Sequence, residues 1–268
     1  MDSIRLILKG ILIGIGKIIP GVSGGIIAIS LGVYEKAIDS INNIFKDFKK
    51  NIKYLSLLFI GVIISVIFMS GIVLNLLEKF YFPTMLLFVG LIVASLNDIK
   101  KSNNYFALTF ICFVIICLFG IFNQNNLITF ENDIYKVFFF TLAGIVDAIT
   151  MIIPGISGTA VLMMMGCYQT LMKAFASFTH FYISYNNFMI LLPFFIGLII
   201  GSICTLKLVN LIFKRYNDKA YACVLGVSYG TIFIMLLKAL NSSYTFSELI
   251  IGIVLMIIGY FGLKKINC

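Results

Sequence analysis

The chain has 268 residues, 61% hydrophobic and 12% charged, with a formal net charge of +9. An ordinary soluble domain is about 45–50% apolar and about 25% charged, so that class is excluded, and a mean hydropathy of +1.08 indicates a polytopic integral membrane protein. The positive charge is therefore read against a bilayer, where lysines beside spans set orientation and meet anionic headgroups. No basic stripe interleaved with aromatics lies outside the apolar runs, which excludes a nucleic-acid partner.

In chain order, residues 4–38 are apolar but interrupted at Pro20-Gly21. Proline lacks an amide hydrogen and clashes with the preceding turn, and glycine permits the reversal, so half-helices are expected over about 4–19 and about 23–38. The polar stretch Glu35–Lys53 carries Lys36, Lys46, Lys49, Lys50 and Lys53. Spans are expected at Leu55–Leu77, at Phe82–Leu96 after the short turn Glu78–Tyr81, and at Tyr105–Phe122 after the polar turn Asn97–Asn104. Asn123–Tyr135 reads as a loop without lysine or arginine. The order then replays. Lys136–Leu171 is broken at Pro154-Gly155, Met172–Asn187 reads as a loop holding His180, and spans follow at Phe188–Leu208, Ala220–Leu240 and Ser247–Leu263. The six cysteines form no C-x-x-C pair, and with a single histidine they read as small buried apolar residues rather than metal ligands. Arg5 and Lys9 precede an apolar stretch, but no small-residue cleavage site follows, so a removed signal peptide is not expected.

The two interruptions are copies. Ile18-Ile19-Pro20-Gly21-Val22-Ser23-Gly24-Gly25 recurs 134 residues later as Ile152-Ile153-Pro154-Gly155-Ile156-Ser157-Gly158-Thr159. At the same offset Gly10 meets Gly144, Gly32 meets Gly166 and Tyr34 meets Tyr168. A fixed-period match of this kind marks internal repetition. The expected architecture is an all-α membrane protein, one membrane domain over 1–268, with repeat one at 1–122, a loop at 123–135 and repeat two at 136–268.

Charge sets the expected topology. If each broken segment is a re-entrant hairpin, each half crosses three times and the halves are inverted relative to each other. With the N-terminus inside, fifteen of the twenty Lys and Arg fall on cytoplasmic segments, as the positive-inside rule requires. Lys79, Lys136, Lys173 and Lys238 are left outside, and Lys17 lies within the first hairpin. The reading is two inverted-topology repeats, each a re-entrant helical hairpin plus three transmembrane helices, six full spans in all.

A backbone break at membrane depth survives only when buried in protein or lining a polar cavity, and a break repeated in both halves is the best sequence pointer to a transporter's midplane site. Helix starts after the breaks offer free amides, while Ser23, Gly24, Gly25, Ser157, Gly158 and Thr159 add hydroxyls and close backbone approach, a pattern suited to an anion. The competing reading is that Pro-Gly-x-Ser-Gly only allows tight hairpin packing. Lys17, three residues before Pro20, offers a cation to an anion site. Asp147, seven before Pro154, is an ionisable group at membrane depth, costly and usually functional. It reads either as an H⁺ or Na⁺ relay or as a structural partner, with Lys17 a candidate for that partner. Tyr34 and Tyr168 are expected at the membrane interface. Gly10-x-x-x-Gly14, Gly197-x-x-x-Gly201 and Gly226-x-x-x-Gly230 read as close helix packing.

The doubled motif, Gly32-x-Tyr34-Glu35 after the first copy, and the chain length resemble the bacterial polyprenyl-phosphate transporters over the whole chain. That resemblance implies return of undecaprenyl phosphate from the outer to the inner leaflet of the cytoplasmic membrane, with membrane lipids around the chain and both termini cytoplasmic. By resemblance Pro20, Gly21, Ser23, Gly24 and Gly25 fall on the family's first motif, and Pro154, Gly155, Ser157 and Gly158 on its second. The family pattern often has an acidic residue at the position of Lys17 and serine at that of Thr159. The first departure moves any coupling role to Asp147. No cofactor is expected beyond a coupling H⁺ or Na⁺.

Other readings are weaker. Gly21-Val22-Ser23-Gly24-Gly25 fits the nucleophile-elbow pattern but lacks its strand–turn–helix context and histidine. Gly-x-Ser-Gly is also similar to the serine motif of rhomboid proteases, but His180 falls in an expected outer loop. The undecaprenyl-diphosphate phosphatases also have inverted repeats, but their hairpin ends in Gly-His. An enzyme is thus not expected. A carrier of small soluble anions, a gradient-independent scramblase and a non-transporting scaffold are the remaining alternatives.

Overall fold

The computed structural model describes all residues except 1, 23, 44–45, 97–104, 123–131, 154–155, 181–183, 216 and 268. Ser23, Pro154 and Gly155, and the expected polar turn at 97–104, lie outside the described residues, as does most of the expected loop at 123–135. Among the described residues the chain is helical and has no strand.

The first broken segment is α1 (Asp2–Ile18), then Pro20-Gly21, then a seven-residue α2 (Gly24–Ser30). The expected second half-helix stops short. Gly32 adopts φ 65°, its amide donates to the Ile29 carbonyl at 2.9 Å, and the Val33 amide donates to the Ala28 carbonyl at 3.0 Å. This paired bonding around a left-handed glycine is the Schellman helix stop. A separate amphipathic α3 (Tyr34–Asn42) then occupies the start of the expected polar stretch. The second half repeats the device. After α7 (Asp133–Ile152) comes a seven-residue α8 (Gly158–Met164), ended by Gly166 at φ 77°, with Gly166 N–H on the Met163 carbonyl and Cys167 N–H on the Leu162 carbonyl. A further helix, α9 (Tyr168–Ala176), and a 3-10 turn (Ser177–His180) follow where a loop was expected. The Gly32/Gly166 match thus has a local cause, which the expected single half-helix overlooked.

The remaining helices are α4 (Phe48–Lys79), α5 (Tyr81–Ser95), α6 (Phe106–Phe122), α10 (Tyr185–Arg215), α11 (Asn217–Leu240) and α12 (Phe246–Asn267). Helices α4, α7, α10, α11 and α12 are long and apolar enough to cross a membrane, while α5 and α6 are apolar but shorter. Helix α7 alone has 20 residues, about 30 Å at 1.5 Å per residue. Large apolar side chains point outward, among them Phe59, Phe68 and Ile72 of α4, Ile199 and Ile203 of α10, and Ile257 and Phe261 of α12. The chain is a multi-pass membrane protein.

Packing is matched between the halves. Helix α1 lies on α4 with Gly10 against the Leu58 carbonyl and Gly61 against that of Ile7. In the same way α7 lies on α10, with Gly144 against Phe194 and Gly197 against Thr141. The other two pairings cross between halves. Helix α5 packs on α12 through Gly90 and the Met256 carbonyl, and α6 packs on α11 through Gly226 and the Thr109 carbonyl. All three Gly-x-x-x-Gly motifs sit at such contacts, where missing side chains let backbones approach. The main core gathers on α5, α8 and α9, including Phe82, Met85, Phe88, Ile92, Tyr168 and Leu171, with Ile234 and Met235 from α11.

One expectation about a single residue changes. Tyr34 is 43% exposed, but Tyr168 is 1% exposed and is a core residue rather than an interfacial anchor. Its hydroxyl has an internal acceptor, so burial leaves no polar group unpaired.

A Cβ at Gly32 would meet nothing within 4 Å, so substitution there isolates the backbone conformation. Gly32→Ala is expected to destabilise by about 1–2 kcal/mol and Gly32→Asn by less, because asparagine visits the left-handed region more readily. The midpoint of thermal unfolding in detergent checks this; equal midpoints for glycine and alanine would show that the stop is not held by this residue.

Candidate functional site

The two breaks meet. The Gly21 amide, just past Pro20, donates to Ser157 Oγ at 2.9 Å across 136 residues of sequence. Ser157 is also the N-cap of α8, its Oγ accepting from the Ala160 amide at 3.3 Å, the usual way to satisfy a free amide at a helix start. Thr159 Oγ1 lies 3.2 Å from the same oxygen. One hydroxyl therefore serves both hairpins. On the carbonyl side, Tyr168 OH donates to Ile18 O at 2.9 Å, satisfying a group that the end of α1 leaves free.

One turn before the first break, Lys17 Nζ contacts both carboxylate oxygens of Asp147, at 2.7 and 2.8 Å. The sequence left Asp147 as relay or structural partner; the structure forms the ion pair with Lys17. The two side chains are unequally placed, with 26% of Lys17 exposed against 1% of Asp147. Thr150 Oγ1 is beside Asp147 and bonds back to its carbonyl at 2.8 Å.

The motif glycines are close-packed. Gly21 adopts φ 87°, and a Cβ there would fall 2.5 Å from the Ile92 amide nitrogen, so the first break is seated on α5. A Cβ at Gly24 would come 3.1 Å from the Ile13 carbonyl oxygen, which brings α2 back along α1. A Cβ at Gly158 would collide with Asp147 Oδ1 and lie 2.6 Å from Thr150 Oγ1. The start of α8 is thus shaped to admit the carboxylate. Gly25 lies in the first turn of α2.

A family model described as undecaprenyl phosphate translocase-like matches residues 13–249, a stretch containing both breaks and the ion pair. The chain belongs to this family. It is similar to a polyprenyl-phosphate transporter of Staphylococcus aureus, 26% identical over 241 residues that cover 85% of this chain and 84% of the relative. It is also similar to a polyprenyl-phosphate transporter of Vibrio cholerae, 27% identical over 249 residues that cover 87% of this chain and 77% of the relative. No solved structure matches. The relatives carry the names of transporters, not of enzymes.

Within this framework the structure adds residues that the sequence did not single out. Lys238 Nζ donates to the carbonyls of Met163 and Met164 at 3.1 and 3.4 Å, closing the far end of α8. Lys9 Nζ does the same for the first hairpin, donating to the Leu31 carbonyl at 2.7 Å just past α2. A cation near a helix C-terminus is favourable, yet lysine near an apolar run reads equally as a flanking charge, so neither role was legible. Tyr168, by contrast, was singled out by the repeat but misjudged in its environment.

A buried ion pair is poor evidence of net stability, but removing one partner leaves an uncompensated charge. Lys17→Met is therefore expected to destabilise on the order of 3–5 kcal/mol, and Lys17→Met/Asp147→Leu to regain most of that loss. Thermal unfolding of the purified variants checks it, and a single variant no less stable than the double would mean Asp147 does not depend on Lys17.

Proposed function

We propose that the protein carries undecaprenyl phosphate, or a closely related polyprenyl phosphate, from the outer to the inner leaflet of a bacterial cytoplasmic membrane. The observation that carries this reading is the junction of the two breaks, where a partly exposed lysine and a backbone amide of the first half meet two hydroxyls of the second inside an otherwise apolar chain. A phosphate headgroup needs such a polar locus, while its isoprenoid tail can remain among outward-facing apolar side chains. The names of the two relatives support the substrate.

Substrate contacts are assigned to the first break, with Lys17, Pro20, Gly21, Ser23, Gly24 and Gly25, and to the second, with Pro154, Gly155, Ser157, Gly158 and Thr159. The topology proposed is two inverted repeats within one membrane domain, hairpins α1/α2 and α7/α8 facing each other and six helices crossing. The matched packing of α1 on α4 and α7 on α10, and the reciprocal pairings α5/α12 and α6/α11, support it. The lysine distribution supports cytoplasmic termini.

Direction makes the energetics specific. Carrying negative charge toward the inside-negative leaflet costs about 2.3 kcal/mol per charge per 100 mV. A co-moving cation offsets that cost, and Asp147 is the carboxylate positioned to take it, as H⁺ or Na⁺. Transport by alternating exposure of one fixed site then needs no cofactor beyond the ion.

Labelled undecaprenyl phosphate in proteoliposomes tests this, with an imposed H⁺ or Na⁺ gradient. Gradient-dependent uptake is expected, slowed at least about tenfold, or ~1.4 kcal/mol in the barrier, by Ser157→Ala in protein shown to be folded. Equal movement without a gradient would leave a scramblase, and no movement by folded protein would turn the reading to a small soluble anion.

A further inference from the structure

Lys17 is held by both oxygens of Asp147 and yet is the accessible member of the pair, 26% exposed against 1%. An anion arriving at the junction can therefore reach Lys17 but not Asp147, and finds the ammonium already engaged. A phosphate monoester and a carboxylate offer a lysine the same kind of oxygen acceptor, but the phosphate carries about −1.5 to −2 charge. The two compete for one cation.

Resting on the carrier reading above, we propose that Lys17 is passed from Asp147 to the substrate phosphate, so that Asp147 is an internal stand-in for the substrate and the exchange is what couples it to a cation. The step breaks the two ammonium–carboxylate contacts and forms ammonium–phosphate contacts. It leaves Asp147 without its partner at 1% exposure, beside a second anion. A monovalent cation fills the place Lys17 vacated, either a proton on a carboxylate oxygen or Na⁺ held by it. Release of the phosphate reverses the order, with Lys17 returning and displacing the cation. The cation neutralises the Asp147 charge that Lys17 leaves uncompensated, without a separate relay, while the phosphate keeps whatever charge one ammonium does not offset.

The surroundings fit an exchange confined to these two groups. Among the described residues, the ionisable groups that interact with Asp147 include Lys17 from α1 and, from the turn after α8, Cys167; Lys238 of α11 interacts in turn with Cys167. Lys238 is committed to the Met163 and Met164 carbonyls. Asp147 sits on α7 with its carboxylate against the side-chain-free position Gly158, whereas Lys17 reaches it from α1 on a long side chain. Lys17 can therefore leave without Asp147 following it.

The test uses the full chain in detergent and farnesyl phosphate, a short water-soluble prenyl phosphate, as the probe. Binding is measured across pH at fixed Na⁺ and across Na⁺ at fixed pH, for wild type and Asp147→Asn. Because the probe's phosphate titrates too, only the difference between the two proteins is read. If the cation is a proton, wild-type affinity relative to Asp147→Asn rises as pH falls, by up to about tenfold per pH unit. If it is Na⁺, the relative affinity rises with Na⁺ instead. In either case Asp147→Asn, freed of its internal competitor, binds more tightly than wild type at alkaline pH and low Na⁺. Lys17→Gln/Asp147→Asn carries no unpaired charge; it is expected to fold, to bind weakly, and to respond like Asp147→Asn to pH and Na⁺. Asp147→Asn that binds no more tightly than wild type, with the same pH and Na⁺ responses, would overturn the exchange, and so would a double variant that binds like Asp147→Asn. Undecaprenyl phosphate transport intact alongside either result would leave the carrier reading standing. No farnesyl phosphate binding by wild type and no transport would overturn both.

Discussion

Lys17 and Asp147 come from different halves of the chain, and at that depth each charge is tolerable only because the other is there. Their contact fixes the end of α1 against the last turns of α7. Much of the surrounding detail follows from accommodating it. The start of α8 carries glycine where any side chain would strike the carboxylate, and Thr150 folds its hydroxyl back to its own helix beside it. The neighbouring Gly21–Ser157 and Tyr168–Ile18 bonds tie the same two segments together again.

Two interrupted helices in an apolar chain also expose backbone groups that lipid cannot satisfy. Here the debt is settled within the protein. Ser157 Oγ takes amides from Gly21 and Ala160, Tyr168 reaches the Ile18 carbonyl, and the two left-handed glycines close the C-terminal ends of α2 and α8. Lys9 and Lys238 add a cation to each of those ends. The C-terminal ends of both seven-residue helices are thus met by a lysine from elsewhere in the chain, and α8 is almost wholly buried.

The class of the fold, the breaks and the close-packing glycines were legible because composition, proline and glycine act locally. The motif positions Pro20-Gly21 and Ser157-Gly158 stand next to each other in space, as their repetition led one to expect. What stayed hidden depends on distant partners. A tyrosine at the end of an apolar run has the same local signature whether it meets headgroups, as an interfacial Tyr34 would, or bonds a carbonyl 150 residues away, as Tyr168 does. Helices α3 and α9 were read partly as the end of the preceding half-helix and partly as polar stretch or loop, because Gly32 and Gly166 break them off from the helices before them. The Lys17–Asp147 contact was one of two readings for Asp147, and only coordinates choose a partner over 130 residues.

The ion pair does not respect the repeat. At the 134-residue offset the counterpart of Lys17 is Met151, 62% exposed, and the counterpart of Asp147 is Ile13. Two copies of the first half would bring together two lysines and no acid; two copies of the second would bring two acids and no lysine. The pair therefore depends on the two halves being unlike. An assembly of two identical halves would lack it. If the halves were produced as separate polypeptides, only the unlike combination would have its charges matched.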